Sequence, residues 1–244
     1  MSTKASIFRG QRLQALAELV PADCIRLIDV GCDHGTVPLD LLYQGTAQEL
    51  LLIDINKEPL ARAKARAKMK FPQNSDRIHY LQNNGLEGID CRPDDVLLIS
   101  GLGGETIAEI LVNAFYDREN TRPSRLILQP QTKQYELRTV LQELSFSLSE
   151  ERLVWDVDHF YTIISCVSAA DGSSLLSELE LYIGPGLLPA VAKSLCRKEI
   201  SVTDDLLFKW AGQQAERLKR EGRGDAGRAR LAEEWAELLE GSER

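Results

Sequence analysis

The 244-residue chain has no apolar run near the roughly 20 residues a helix needs to cross a bilayer. Its opening stretch, MSTKASIFRGQR, holds no apolar core of a signal peptide, so no secretion is expected. Cysteine is sparse: Cys24, Cys32, Cys91, Cys166 and Cys196 are scattered, with no C-x-x-C pair. That excludes a disulfide framework and offers no zinc spacing. Buried thiols in a reducing cytoplasm are the expectation, and a cytoplasmic location with them. His34, His79 and His159 lie far apart, so no metal site is expected. Excess positive charge is missing too. The formal net charge of −8 argues, taken alone, against a nucleic-acid partner, because phosphates are gripped by Lys and Arg. There is no internal repeat and no low-complexity tract.

What is present is a globular composition, 43% hydrophobic, on a length that suits one large domain and an appendage. The chain is organised around Leu27 to Gly35, LIDVGCDHG. An apolar run ends in an acid, a glycine, a polar cluster and a second glycine. That is how a buried parallel strand turns into a helix where backbone must approach a ligand closely.

Periodicity gives the remaining elements. Phe8 to Val20 reads as a helix with Arg9 and Arg12 off its apolar side, stopped by Pro21. Ile25 to Val30, Leu50 to Asp54, Arg77 to Leu81, Asp95 to Ser100 and Arg125 to Leu128 read as strands, the third an edge and the fourth central. Helices are expected over 38–44, 57–70, 105–115 and 135–144. Phe146 to Trp155 and Phe160 to Ser168 read as an antiparallel pair around the turn 156–159. Five alternations closed by a hairpin predict an α/β fold, a doubly wound, mostly parallel sheet with an antiparallel last strand. Composition shifts at 171–174. Beyond Gly184-Pro185-Gly186 the chain turns helical. Leu207, Trp210, Ala211, Gln214 and Leu218, then Leu231, Trp235, Leu238 and Leu239, predict a C-terminal αα-hairpin of coiled-coil type. The division falls between 1–169 and 170–244.

In open α/β sheets ligands sit beyond the carboxyl ends of the strands. The unusual residues gather there: Asp29 to Gly35, Asp54 to Asn56, Asn83 to Gly85, Ser100 to Gly104 and Gln129-Pro130. Asp54 suits paired ribose hydroxyls, in NAD enzymes as well as others, or a helix N-cap. The loop Gly101-Leu102-Gly103-Gly104 suits a flat group lying on bare backbone, or a tight strand-to-helix turn. Lys57 to Lys70, KEPLARAKARAKMK, is strongly basic inside an acidic chain: a solvated helix face or a phosphate-facing patch.

The first turn resembles the opening motif of S-adenosylmethionine (SAM) methyltransferases, with Asp33 and His34 where many have a glycine and a small residue. The wider set DVGCDHG (29–35), DIN (54–56), NNGLE (83–87), GLGG (101–104), LILQP (126–130) and HFYTI (159–163) resembles the TrmK-type bacterial tRNA adenine-N1 methyltransferases. These modify adenosine 22 in the D-arm and carry a helical coiled-coil domain. The resemblance spans nearly the whole chain, with Asp54, Asn84 and Gln131 departing from the residues expected there. It implies a Rossmann-like SAM methyltransferase domain at 1–169 and SAM as cofactor. Asp29, Gly31, Cys32, Asp33, His34, Gly35, Asp54, Ile55, Asn56, Asn84, Gly85 and Gly101 would shape the cofactor site. Asp33, His34, Gly101, Gly103 and Gly104 would serve transfer. Asp33 can face the base or only the turn and cofactor.

The implied partner is tRNA, with no membrane and no metal, and a monomer is slightly favoured. Phosphate contacts would come from Arg9, Arg12, Lys57, Arg62, Lys64 and Arg66. Lys209, Arg217, Lys219 and Arg220 on the helical hairpin would add to them, unless that hairpin only packs on itself or dimerises. The competing readings are a methyltransferase acting on another RNA, a protein or a small molecule, and a non-catalytic SAM- or RNA-binding module. An NAD oxidoreductase is disfavoured, since G-x-G-x-x-G does not follow the first strand.

Overall fold

Apolar runs that close on an acid or a glycine become strands buried on both faces, because helices cover both sides of a parallel sheet. The computed structural model describes residues 12–70, 72–117, 121–168, 175–195 and 201–240, and the backbone of 4–9. The composition shift at 171–174, Cys196 and the side chain of Arg9 lie outside the described residues. In chain order the elements are strand β1 (Lys4–Arg9), helix α1 (Arg12–Ala17), β2 (Cys24–Val30), α2 (Thr36–Gln44), β3 (Ala47–Asp54) and α3 (Lys57–Lys70). A short 3-10 helix leads to β4 (Ile78–Gln82), then β5 (Asp95–Leu102), α4 (Gly104–Phe115), β6 (Arg125–Pro130) and α5 (Gln134–Glu143). The hairpin β7 (Phe146–Asp156) and β8 (His159–Ser168) follows, and then α6 (Glu178–Ile183), α7 (Leu187–Leu195), α8 (Val202–Glu221) and α9 (Ala226–Glu240).

Among the described residues the eight strands form one sheet in the order β1-β7-β8-β6-β5-β2-β3-β4. Every pairing is parallel except those of β8, which runs against both β6 and β7. The expected doubly wound sheet, its edge strand β4 and its central β5 are all present. One expectation fails. Phe8 and Arg9 belong to β1, which pairs with β7 from Lys4 against Glu150 to Arg9 against Trp155, and the helix begins only at Arg12. Phe8 extends an apolar pattern backwards in the sequence, but the backbone there is claimed by a sheet edge far along the chain. A partner that distant leaves no local periodicity to read.

Two apolar layers flank the sheet. Leu16, Leu39, Leu50 and Ala63 lie under α1, α2 and α3. Ile28, Leu97, Ile107 and Leu141 lie under α4 and α5. A third cluster joins the C-terminal helices to the sheet domain, since Leu153, Tyr135 and Phe160 pack with Leu187, Leu207, Trp210 and Trp235. The apolar stripe of the α8–α9 hairpin is therefore covered within the same chain. A buried ion pair pins this junction. Arg138 Nε donates to Glu151 Oε1 at 2.9 Å, and both side chains are essentially without exposure. Arg138 Nη1 also donates to the carbonyls of Leu181 and Tyr182 at the end of α6, and Glu151 Oε2 accepts from the Gly186 N–H. The C-terminal helices thus share a core and a charge pair with the sheet.

Candidate active site

Strand order reverses between β2 and β5, and such a reversal opens a crevice at the carboxyl ends of the strands. A cavity of about 730 Å³ lies there. It is lined by the ends of β2 (Asp29 to His34), β3 (Asp54 to Asn56), β4 (Asn83 to Gly85) and β5 (Ser100 to Leu102). The structure thus brings together Asp29, Gly31, Cys32, Asp33, His34, Asp54, Ile55, Asn56, Asn84, Gly85 and Gly101, with Arg12 joining from α1. Gly35, Gly103 and Gly104 are not among the cavity's lining residues, although a Cβ on Gly103 would lie 3.8 Å from the hydroxyl of Thr106, which is.

Backbone bonds fix the first turn. The N–H groups of Gly31 and Cys32 both donate to the Ile53 carbonyl, at 2.9 and 3.1 Å, and the Gly35 N–H closes the turn on the Cys32 carbonyl at 2.7 Å. Gly31 has φ +75°, a conformation that side chains resist. Gly35, at φ +61°, serves packing as well, since a Cβ there would stand 3.3 Å from both Ala63 Cβ and Leu52 Cδ1. It caps α2 without a side-chain acceptor, and Thr36 and Val37 of the first turn line the cavity.

The floor of the cavity is acidic. Asp29 is 4% exposed and has no hydrogen-bond donor among the described residues. Burial, and then the nearby Asp54, push its carboxyl up to about 7. Asp54 accepts the Asn56 N–H at 2.9 Å through one oxygen, which leaves the other available. One oxygen of Asp54 thus ties the turn ahead of α3, and the residue also lines the cavity. Asn84 donates its amide to Glu87 at 2.6 Å, and its carbonyl oxygen remains as an acceptor beside the exposed Ile55. Cys32 is buried and its thiol is pushed up to about 12, chiefly by burial, so it stays protonated and is no nucleophile.

This set fits SAM. A buried carboxyl without a donor suits an ammonium group, Asp54 a ribose diol, and Ile55 with Asn84 an adenine. The pyrophosphate of NAD would meet the same carboxyls as like charge. No group of side chains able to hold a metal ion occurs among the described residues.

Two regions differ from the sequence reading. The loop at 101–104 divides in two. Gly101, at φ +80°, and Gly103 have room for a Cβ, whereas one on Gly104 would lie 2.4 Å from the Lys133 carbonyl oxygen. Gly104 is thus a packing glycine between α4 and the start of α5. The basic helix is also partly committed. Arg62 holds Asp33 at 3.2 Å and Arg66 lies 3.8 Å from Asp40, while Lys57 and Lys64 are exposed, Lys64 with its Nζ 5.9 Å from the centre of the Tyr80 ring. Asp33 itself is largely exposed, has φ +45° and sits 3.6 Å from His34 Nε2.

On the hairpin helix, Arg217 binds Glu221 at 2.8 Å and Lys219 lies 3.6 Å from Glu216. The sequence reading missed Leu13, Thr36, Thr106 and Ile110 as lining. Thr36 and Thr106 lie in the first turns of the helices after the two glycine turns, a position that would have pointed to them. Arg12 is not a plain surface cation. Its Nη1 donates to Gln129 Oε1 at 2.6 Å, and its guanidinium lies over the Tyr161 ring at 5.0 Å.

A methyltransferase-domain family matches residues 9–164. The tRNA (adenine(22)-N(1))-methyltransferase of Bacillus subtilis is 30% identical over 184 residues, 75% of each chain. The structure of Sp1610 from Streptococcus pneumoniae in complex with S-adenosyl-L-methionine superposes with a TM-score of 0.76 at 25% identity, over 93% of this chain and 98% of that one. The B. subtilis m1A22 tRNA methyltransferase TrmK shares the fold, with a TM-score of 0.71 at 24% identity over 96% and 97% of the two chains. No described helix is long and apolar enough to cross a membrane. A buried acidic pocket at the sheet reversal, two glycine turns and these relationships agree, and the chain belongs to the SAM-dependent tRNA (adenine(22)-N1)-methyltransferase family.

Proposed function

We propose that this protein methylates N1 of adenosine 22 in the D-arm of tRNA. The observation that carries the reading is one cavity with two unlike ends. At one end Asp29 and Asp54 are buried acids that suit a cationic nucleoside. At the other, the backbone at Gly101 is bare, with nothing within 4 Å of a Cβ built on it. Bound SAM supplies an electrophilic methyl group on a sulfonium centre.

The residues do the rest by placement. Adenine N1 has its own lone pair, so no strong base is needed to make it a nucleophile. What it needs is a fixed approach, exclusion of water, and negative charge near a ring that becomes cationic. Bare backbone at Gly101 and Gly103 lets a flat purine approach. The Asp33 carboxylate, at the cavity rim, can accept from the adenine amino group or face the cation. Arg62 holds it there, with His34 Nε2 3.6 Å away. N1 lies on the Watson–Crick edge, so the nucleotide must leave its stack before it reaches the cavity.

Asp33 is best replaced by Asn, which tolerates its left-handed backbone; Ala would add strain unrelated to the carboxylate. Asp33→Asn is expected to keep SAM affinity by calorimetry within a few-fold and to lose at least tenfold in turnover. Wild-type turnover removes Asp33 from the reaction. The reading as a whole is tested by mass-spectrometric mapping of methylated nucleosides after incubation with unmodified tRNA and SAM. Absence of 1-methyladenosine at position 22 overturns it.

A further inference from the structure

The turn between β7 and β8 carries backbone strain that packing does not explain. Asp156 pairs with His159, so the loop has two residues, Val157 and Asp158. Both have positive φ, 44° and 62°. That is the turn which suits the right-handed twist of a hairpin, and it normally selects Asn-Gly or Asp-Gly. Asp tolerates the conformation; a β-branched residue is an outlier there. Val157 is nonetheless 82% exposed, so no buried contact of its side chain offsets the strain.

The turn's position gives the strain a use. β8 runs against both β6 and β7, so β7 ends on the same edge as the cavity. The last residues of the hairpin are braced from both sides. On one face Trp155 and Phe160 pair across the strands, ring centroids 4.5 Å apart, and Lys209 of α8 reaches over the Trp155 ring at 3.7 Å. On the other face Asp156 accepts the backbone N–H of Arg12 at 3.2 Å, and Tyr161 lies beneath the Arg12 guanidinium. Arg12 lines the cavity, so the hairpin end is continuous with the mouth of the pocket. The tip is a small apolar group on a rigid support, flanked by Arg12 and Lys209, with the two acceptor oxygens of Asp158 beside it.

We propose that Val157 is a wedge that enters the base stack of the RNA as the target adenosine is drawn out. Proteins that unstack bases commonly insert an apolar side chain between base steps, where it replaces stacking that an extruded base would otherwise lose. A braced hairpin suits this work, because a flexible one would yield to the stack. The two cations can meet flanking phosphates, and Asp158 can accept from the amino group of a base left without its neighbour. The inference rests on the proposed function, since it supplies the extrusion that an N1 acceptor demands.

Val157→Gly relieves the strain and removes the wedge, and Val157→Met restores apolar bulk. Each variant is assayed with folded tRNA for methyl transfer. A parallel tRNA carrying 2-aminopurine at the target position brightens when that base leaves the stack. The glycine variant is expected to fold as well as wild type, to bind SAM equally, and to lose at least tenfold in kcat/KM with most of the fluorescence rise. The methionine variant is expected to keep both within about threefold. A glycine variant with wild-type rate and fluorescence overturns the wedge while leaving the function intact. If the wild-type chain forms no 1-methyladenosine in the same assay, the function itself is what fails.

Discussion

Three glycines in one loop, alike in sequence, are expected to respond to alanine in three different ways. A Cβ on Gly104 would lie 2.4 Å from the Lys133 carbonyl oxygen and 2.5 Å from that of Thr132. Both are backbone atoms, and the Gly104 N–H already donates to Thr132 O at 2.9 Å, so neither side can yield by rotating a side chain. Relief needs the start of α4 to move away from the start of α5. Overpacking of that kind costs about 1–3 kcal/mol, and each kcal/mol lowers the melting temperature by about 2–4 °C at this chain length. Gly101 is different: nothing lies within 4 Å, but its φ of +80° costs an alanine about 1–2 kcal/mol. Gly103 has neither problem. Its φ is −64°, and the nearest atoms to a built Cβ are two threonine hydroxyl oxygens at 3.7 and 3.8 Å. Gly103→Ala should be neutral or stabilising by up to about 1 kcal/mol, because alanine restricts the unfolded chain.

The functional order is expected to differ from the stability order. Gly103→Ala puts a methyl beside Thr106, on the cavity wall, where a purine would lie against backbone. It should leave the SAM dissociation constant unchanged and lower kcat/KM for tRNA by at least tenfold. Differential scanning fluorimetry, SAM calorimetry and initial rates on one tRNA give the three readouts. A Gly104→Ala protein as stable as wild type refutes the packing argument. A Gly103→Ala protein with full activity removes that backbone from the substrate's path.

Other expectations follow from buried charge. The Asp29 carboxyl, raised to about 7 by burial, must ionise to meet a cationic ligand, so SAM affinity should fall up to tenfold per pH unit below 7 and level off above it. Calorimetry from pH 5.5 to 8.5 reads this, and a flat profile in wild type refutes the pairing. For the ligand-free protein the sign is opposite. The unfolded Asp29 loses its proton near pH 4 and the folded one near 7, so this group's contribution to stability declines as pH rises through that window. Asp29→Asn should therefore raise the urea midpoint at pH 8. Glu151→Gln leaves the Arg138 guanidinium buried without its counter-charge and should cost about 3–5 kcal/mol in urea denaturation; a loss under 1 kcal/mol would show that the junction with the C-terminal helices does not depend on the pair.

The parts legible in the sequence share one property: their signals are local. A run such as LLLID states its own burial, and where it ends in Asp54 it also states where a ligand can sit. Repeating this at the ends of β2, β4 and β5 made the pocket readable before any contact was known. What escaped was set by partners distant in the chain. β1 is a strand because the edge of β7 accepts it. Arg62 and Arg66 read as phosphate ligands because sequence shows a charge without the acid that meets it. Nothing local marks Arg138 and Glu151 as a buried pair, yet they link the sheet to the C-terminal helices. Gly103 and Gly104 are the same letter; only the carbonyls of Thr132 and Lys133 separate them.

Even the hairpin shows the division. Its strands were readable from alternation, and its turn from polarity. That a valine there is strained, exposed and braced beside the pocket follows only once α1 and α8 are in place around it. Sequence reading therefore finds where chemistry collects. Which side chain is free to perform it depends on the neighbours that each charge, glycine and strained residue acquires on folding.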